Sequence, residues 1–231
     1  MQKQAIIFGS IGTLVETSEI QRSAFNRAFS EAGLDWHWSK QEYARLLKKS
    51  GGRQRIADYA KARDQDINAG ALHTRKTEIF DQAIVDQGLV PRKGVLPLMR
   101  WVKQNDIKLG FATTTARNNV EAIFLALDGA IHRSHFDFVN DAETLTAPKP
   151  DPEVYQRALA ALEVGPEACI AIEDTGISMQ SALAAGIECV GFPGVYSDPE
   201  DLAEASRIVD RVDPHYLPLM GDEDDALRIA I

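Results

Sequence analysis

The sequence predicts an α/β protein: a mostly parallel, Rossmann-like sheet carrying an all-helical insert directly after its first strand. Three observations lead there. Short apolar runs rich in strand formers alternate with amphipathic helical patterns through most of the chain. The stretch from Thr17 to Gln87 breaks that alternation, with helical spacing throughout and no convincing strand. The composition, 45% hydrophobic and 26% charged over 231 residues, suits one well-buried core with a smaller insert.

The strands are expected at Ala5 to Phe8, Ile107 to Ala112, Phe136 to Val139, Cys169 to Ile172 and Glu188 to Phe192. Helices are expected at Val95 to Lys103, Val120 to Leu127, Pro152 to Leu162 and Ser178 to Ala185, giving right-handed crossovers and a sheet covered on both faces. In the insert, Ile20, Ala24, Phe25, Ala28, Phe29 and Ala32 recur at helical spacing, and Ser18 with Gln21 resembles a capping box. Further helices are expected at Lys40 to Lys48, Gln54 to Ala62 and Ala71 to Val85, punctuated by glycines. The expected division is therefore a core of residues 1–16 and 90–231 and a helical cap of residues 17–89 that could hinge as a lid.

A formal net charge of -9 and no long basic run argue against a nucleic-acid partner, so any anionic ligand must be held by a few local cations. Cys169 and Cys189 sit in apolar runs and are expected to be buried thiols, not a disulfide or a zinc site. The four apolar residues before Gly9 are too few for a signal-peptide core, and no segment approaches membrane-spanning length. A cytoplasmic location is the expectation, with no membrane partner.

Ligands of such sheets bind beyond the carboxyl ends of the strands, so the residues just past each apolar run matter most. After the second run comes Thr113-Thr114-Thr115, read either as a helix cap or as hydroxyls and amides that hold an oxyanion. After the third comes Lys149, set among Pro148, Pro150 and Pro152 at a helix start and placed to neutralise an anion. The fourth ends in Glu173-Asp174-Thr175-Gly176: acidic residues suited to a helix dipole, or to a hard oxygen-liganded cation such as Mg²⁺. The first ends in "FGSIGTLVETSE", Phe8 to Glu19.

A strand ending in Gly-Thr-Leu, then Thr113, the Pro-embedded Lys149 and Glu173-Asp174-Thr175, in that order, together resemble the haloacid dehalogenase superfamily of phosphatases. Within it, "GLDWHWSKQEYARLL" (Gly33 to Leu47), "SGGRQRI" (Ser50 to Ile56) and "RKGVLPLM" (Arg92 to Met99) are similar to the CbbY-like group of sugar-phosphate phosphatases. The resemblance implies a helical cap over a phosphate pocket, a small phosphorylated metabolite or inorganic phosphate as ligand, and Mg²⁺ as cofactor. It implies that Thr113 hydrogen-bonds the phosphoryl oxygens with Thr114 beside it, that Lys149 offsets developing charge, and that Asp174 supported by Glu173 holds the metal. Glu16, Arg53 and Arg55 match substrate-contacting positions, while Gln21 stands where the group commonly has histidine.

The same resemblance exposes two departures. The aspartates that attack and protonate in such enzymes correspond to Gly9 and Ile11, which offer neither a nucleophile nor a proton. Losing a nucleophile alone costs on the order of 10⁶ in kcat. Mg²⁺ affinity is expected to fall as well, with Lys149 balancing the remaining carboxylates. Ser10 is expected to point away from the pocket that position 9 faces. Two readings stay open: a catalytically impaired pseudoenzyme that still binds a phosphorylated ligand, and an active phosphatase using another nucleophile. Dehalogenase chemistry is a third, weaker reading.

Overall fold

The computed structural model describes residues 2–49 and 51–219. Ser50, the first residue of the SGGRQRI segment, and residues 220–231 lie outside the described residues.

Among the described residues, six strands form one parallel sheet in the order β3-β2-β1-β4-β5-β6. They are β1 (Ala5–Phe8), β2 (Lys108–Ala112), β3 (Phe138–Asn140), β4 (Cys169–Glu173), β5 (Glu188–Gly191) and β6 (Arg207–Ile208). Strand β1 is central and buried at all four residues, as a parallel sheet covered on both faces requires. Side chains alternate across it. Ala5 and Ile7 join Val154, Tyr155 and Ala158 of α8 (Glu153–Leu162) and Met179 and Ala182 of α9 (Gly176–Ala184). Ile6 and Phe8 join Val95 and Leu98 of α6 (Val95–Gln104) and Val120 and Ile123 of α7 (Arg117–Ala126).

Between β1 and β2 the chain forms α1 (Ile11–Leu14), α2 (Ser18–Glu31), α3 (Lys40–Leu47), α4 (Gly52–Lys61) and α5 (Ala69–Gln87), with no strand among the described residues 18–87. Aromatic packing holds this segment together. Trp38 lies 4.8 Å from Phe25 and 4.7 Å from Phe29, ring centre to ring centre. Such pairs add about 1 kcal/mol each beyond the area they bury. The chain leaves and returns through paired backbone: Val15 bridges Pro91, and Arg92 N–H donates to Leu14 O at 2.8 Å.

Two local expectations are corrected. Helix α7 starts at Arg117 and not at the threonine run; its cap, Ala116, makes no side-chain bond, and the Arg117 N–H donates to the Glu143 carboxylate at 2.9 Å. Thr113 Oγ1 instead accepts the Thr115 N–H at 3.1 Å, closing a turn. Ser18 is already inside α2, and its N–H donates to Glu16 Oε1 at 2.8 Å, so no Ser18–Gln21 capping box forms. Both cysteines are free and buried. No described helix is long and apolar enough to cross a membrane.

Candidate functional site

The carboxyl ends of β1, β2 and β4 converge. Parallel register sets Phe8 beside Ile172, and Gly9 N–H continues the ladder to Ile172 O at 3.0 Å. The next residues therefore meet in pairs: Gly9 lies against Glu173 and Ser10 against Asp174.

Gly9 has no side chain, and the room one would occupy is filled. A Cβ built there lands on Tyr155 Oη and Glu173 Oε1, far inside van der Waals contact. Tyr155 Oη donates to Glu173 Oε1 at 2.6 Å, and Lys149 Nζ donates to that same oxygen and to Gly9 O, both at 2.5 Å. All three side chains are buried: Tyr155 and Glu173 fully, and Lys149 at 4% exposure. Burial pushes the Glu173 carboxyl above its ordinary range, with the Lys149 charge opposing it. Glu173 Oε2 is enclosed and meets no donor.

Asp174 forms the neighbouring half. Ser10 Oγ donates to its Oδ1 at 2.7 Å, Oδ2 lies against the bare Cα of Gly12, and Ser197 Oγ donates to its carbonyl at 2.5 Å. Burial raises its carboxyl too, opposed first by the Ser10 bond and then by the charge of Arg92. Ser10, expected to point away from the pocket, instead sets its hydroxyl on Asp174, which lines a cleft. Arg92 ties the return segment to the strand ends. Its guanidinium donates to Gly12 O at 2.6 Å, Phe192 O at 2.9 Å and Pro193 O at 2.6 Å, and it stacks 3.4 Å over the Phe192 ring.

The other expected positions differ in their surroundings. Thr113 is buried at the end of β2, with Thr114 half-buried beside it. Ile11, 8% exposed, packs into the apolar cluster with Phe8 and Leu14. Glu16 spends both carboxylate oxygens on backbone, accepting Ser18 N–H and Val195 N–H at 2.8 Å each. Arg55 is 9% exposed and donates to Leu46 O and Lys49 O at 2.9 Å, fastening the end of α3 to α4. Arg53 is exposed at the start of α4. Gln21 Oε1 accepts from Lys76, a buried lysine between the rings of Phe25 and Phe80.

A cleft of about 690 Å³ opens beside Asp174. Ala44, Leu47 and Lys48 wall it from α3 and its end, Gly176 from the start of α9, and Tyr196 and Asp198 from the loop after β5. That volume suits a small metabolite. Lys48 spans the gap to Asp198 at 3.6 Å and Asp201 at 3.5 Å. Glu173 and Asp174 are the carboxylates through which a cation could be held, but among the described residues no three His, Cys, Asp or Glu side chains converge as metal ligands.

Tyr155, Arg92 and Lys76 are not recognisable as site or buried polar residues from the sequence. Tyr155 sits at an apolar position of an amphipathic helix and reads as core, and Lys76 sits on a helix as surface lysines do. Arg92 opens the RKGVLPLM segment, whose similarity carried no role for it.

The same architecture recurs in known proteins. A profile of the haloacid dehalogenase-like hydrolase family matches residues 6–192. The chain is 37% identical over 210 residues to protein CbbY of Cereibacter sphaeroides, covering 90% of this chain and 91% of that protein. A crystal structure of CbbY from Rhodobacter sphaeroides in complex with phosphate superposes with a TM-score of 0.81 at 36% identity, over 91% of this chain and 95% of that one. A mutant of that protein in complex with xylulose-(1,5)bisphosphate superposes equally, with a TM-score of 0.81. The family profile, the sequence identity and the superposition agree, and the chain belongs to the haloacid dehalogenase-like hydrolase family.

Proposed function

We propose that this protein binds a small phosphorylated sugar, or inorganic phosphate, at the ends of its central strands, and that its capacity to hydrolyse the ester is severely impaired. One observation carries the reading. Where the family resemblance calls for a nucleophilic carboxylate, Gly9 offers none, and Tyr155 and Glu173 have closed over the space. The ligand class is supported by the two CbbY complexes, which hold phosphate and a sugar bisphosphate. The lid role of residues 17–89, with Arg53 facing the ligand, belongs to the same proposal. So does the positioning of the phosphate by Thr113 and Thr114.

A second reading, an active phosphatase with a different nucleophile, has one observation in its favour: the Ser10 hydroxyl is hydrogen-bonded to a carboxylate, Asp174, that could accept its proton. The experiment that separates the two is release of phosphate from sugar phosphates by the full chain and by Ser10→Ala. Binding without release supports the first reading, and release abolished by Ser10→Ala supports the second.

A further inference from the structure

Proteins of this family typically use Mg²⁺, and the residues of this chain do not fit it. The ion requires near-octahedral oxygen coordination and usually takes one or two carboxylates, waters and substrate oxygens. At the strand ends, all but one of the Glu173 and Asp174 carboxylate oxygens, and the Gly9 carbonyl, are already engaged or enclosed. Gly9 O accepts Lys149 Nζ, and Glu173 Oε1 accepts both Lys149 Nζ and Tyr155 Oη. Glu173 Oε2 is enclosed, and a single enclosed oxygen cannot furnish a coordination shell. Asp174 Oδ1 accepts Ser10, which leaves Oδ2, beside Gly12 at the cleft, as the single carboxylate oxygen open to an ion, too few for a site that has lost a carboxylate at position 9. An ion drawn to Gly9 O and Glu173 would also meet the Lys149 ammonium, a like charge already within 2.5 Å of both oxygens.

We infer that this site takes its anion without a divalent cation, Lys149 supplying the fixed positive charge that sets the local balance. The inference rests on the proposed phosphate-binding function and deepens it. Position 9 is not a hole awaiting a metal and its ligand. The Tyr155 hydroxyl and the Glu173 carboxylate occupy it, on two fully buried side chains, and Lys149 joins that carboxylate to the Gly9 carbonyl at the end of β1. Of the three donor protons of Lys149, two go to Gly9 O and Glu173 Oε1, so its charge is fixed at the strand ends.

The test is calorimetric titration of the full-length wild-type chain: MgCl₂ alone, then inorganic phosphate in excess EDTA and again in millimolar MgCl₂. We expect no Mg²⁺ binding at micromolar concentrations, and phosphate affinities that agree within about twofold in the two buffers, where genuinely coupled ligands differ by about 5–150-fold. Micromolar Mg²⁺ binding, or phosphate binding strengthened about tenfold or more by Mg²⁺, overturns the inference. If phosphate binds in neither buffer, the proposed phosphate-binding function fails, and the Mg²⁺ titration alone decides this inference by the same criterion.

Discussion

Tyr155 Oη donates to Glu173 Oε1 at 2.6 Å, and the pair lies where a side chain on residue 9 would have to begin. Gly9 is not among the positive-φ glycines, so its backbone tolerates alanine, and the obstacle to a larger residue is packing alone. Gly9→Ala is therefore expected to destabilise the protein by about 1–3 kcal/mol, the usual cost of overpacking. Tyr155→Phe, which removes the crowding hydroxyl, is expected to relieve part of that cost. Urea unfolding of the two single variants and the double variant checks this, because contacting residues give a non-additive cycle.

The two arginines of "GGRQRI" are expected to respond differently. Arg55 is buried with its donors on Leu46 O and Lys49 O, so Arg55→Leu should lower stability by about 2 kcal/mol. Arg53 is exposed, and Arg53→Ala should leave stability within about 0.5 kcal/mol while weakening ligand binding. Thermal unfolding of both variants, with phosphate titrated into Arg53→Ala, separates a fastener from a ligand contact.

Lys76 predicts a pH signature. It is 4% exposed and lies 4.7 Å from the Phe25 ring and 4.9 Å from the Phe80 ring. Burial, then the charge of Arg55, pulls its pKa down from 10.5 to about 7, with Asp81 opposing and His73 also nearby. Between those two values the unfolded chain holds a proton that the folded protein has released. Stability attributable to Lys76 must therefore rise with pH through that window, at up to about 1.4 kcal/mol per pH unit. Relative to Lys76→Met, the wild type should gain stability from pH 7 to pH 9. A flat difference would show that Lys76 stays charged in the fold.

Much of this fold was legible because apolar patterning and burial are the same physical fact. The run Ala5 to Phe8 became the central strand with the expected bounds, and Phe25 and Phe29, one helical turn apart, became the aromatic centre of the helical segment. Strand β6 was not legible. It has two residues, Ile208 is 45% exposed, and pairing with β5, not its own composition, makes it a strand. The start of α7 was missed because its acceptor, Glu143, lies far along the chain and no local spacing encodes it.

The site divides in the same way. Strand-end positions such as Lys149, Glu173 and Asp174 are set by topology and were visible in order along the sequence. What Arg55 and Glu16 bind was not visible, because an arginine that reaches a ligand and one that reaches two carbonyls have the same local sequence. Tyr155 was missed for a related reason: its ring belongs to the core, and only its hydroxyl belongs to the site.

Binding without turnover is tested most directly by phosphate release from a sugar bisphosphate with MgCl₂ present, alongside calorimetric binding of the same ester. The ester is expected to bind while release stays at the background of Asp174→Ala, far below the ~1–10³ s⁻¹ of ordinary enzymes. Release at about 1 s⁻¹ or faster that vanishes in Asp174→Ala would contradict that expectation.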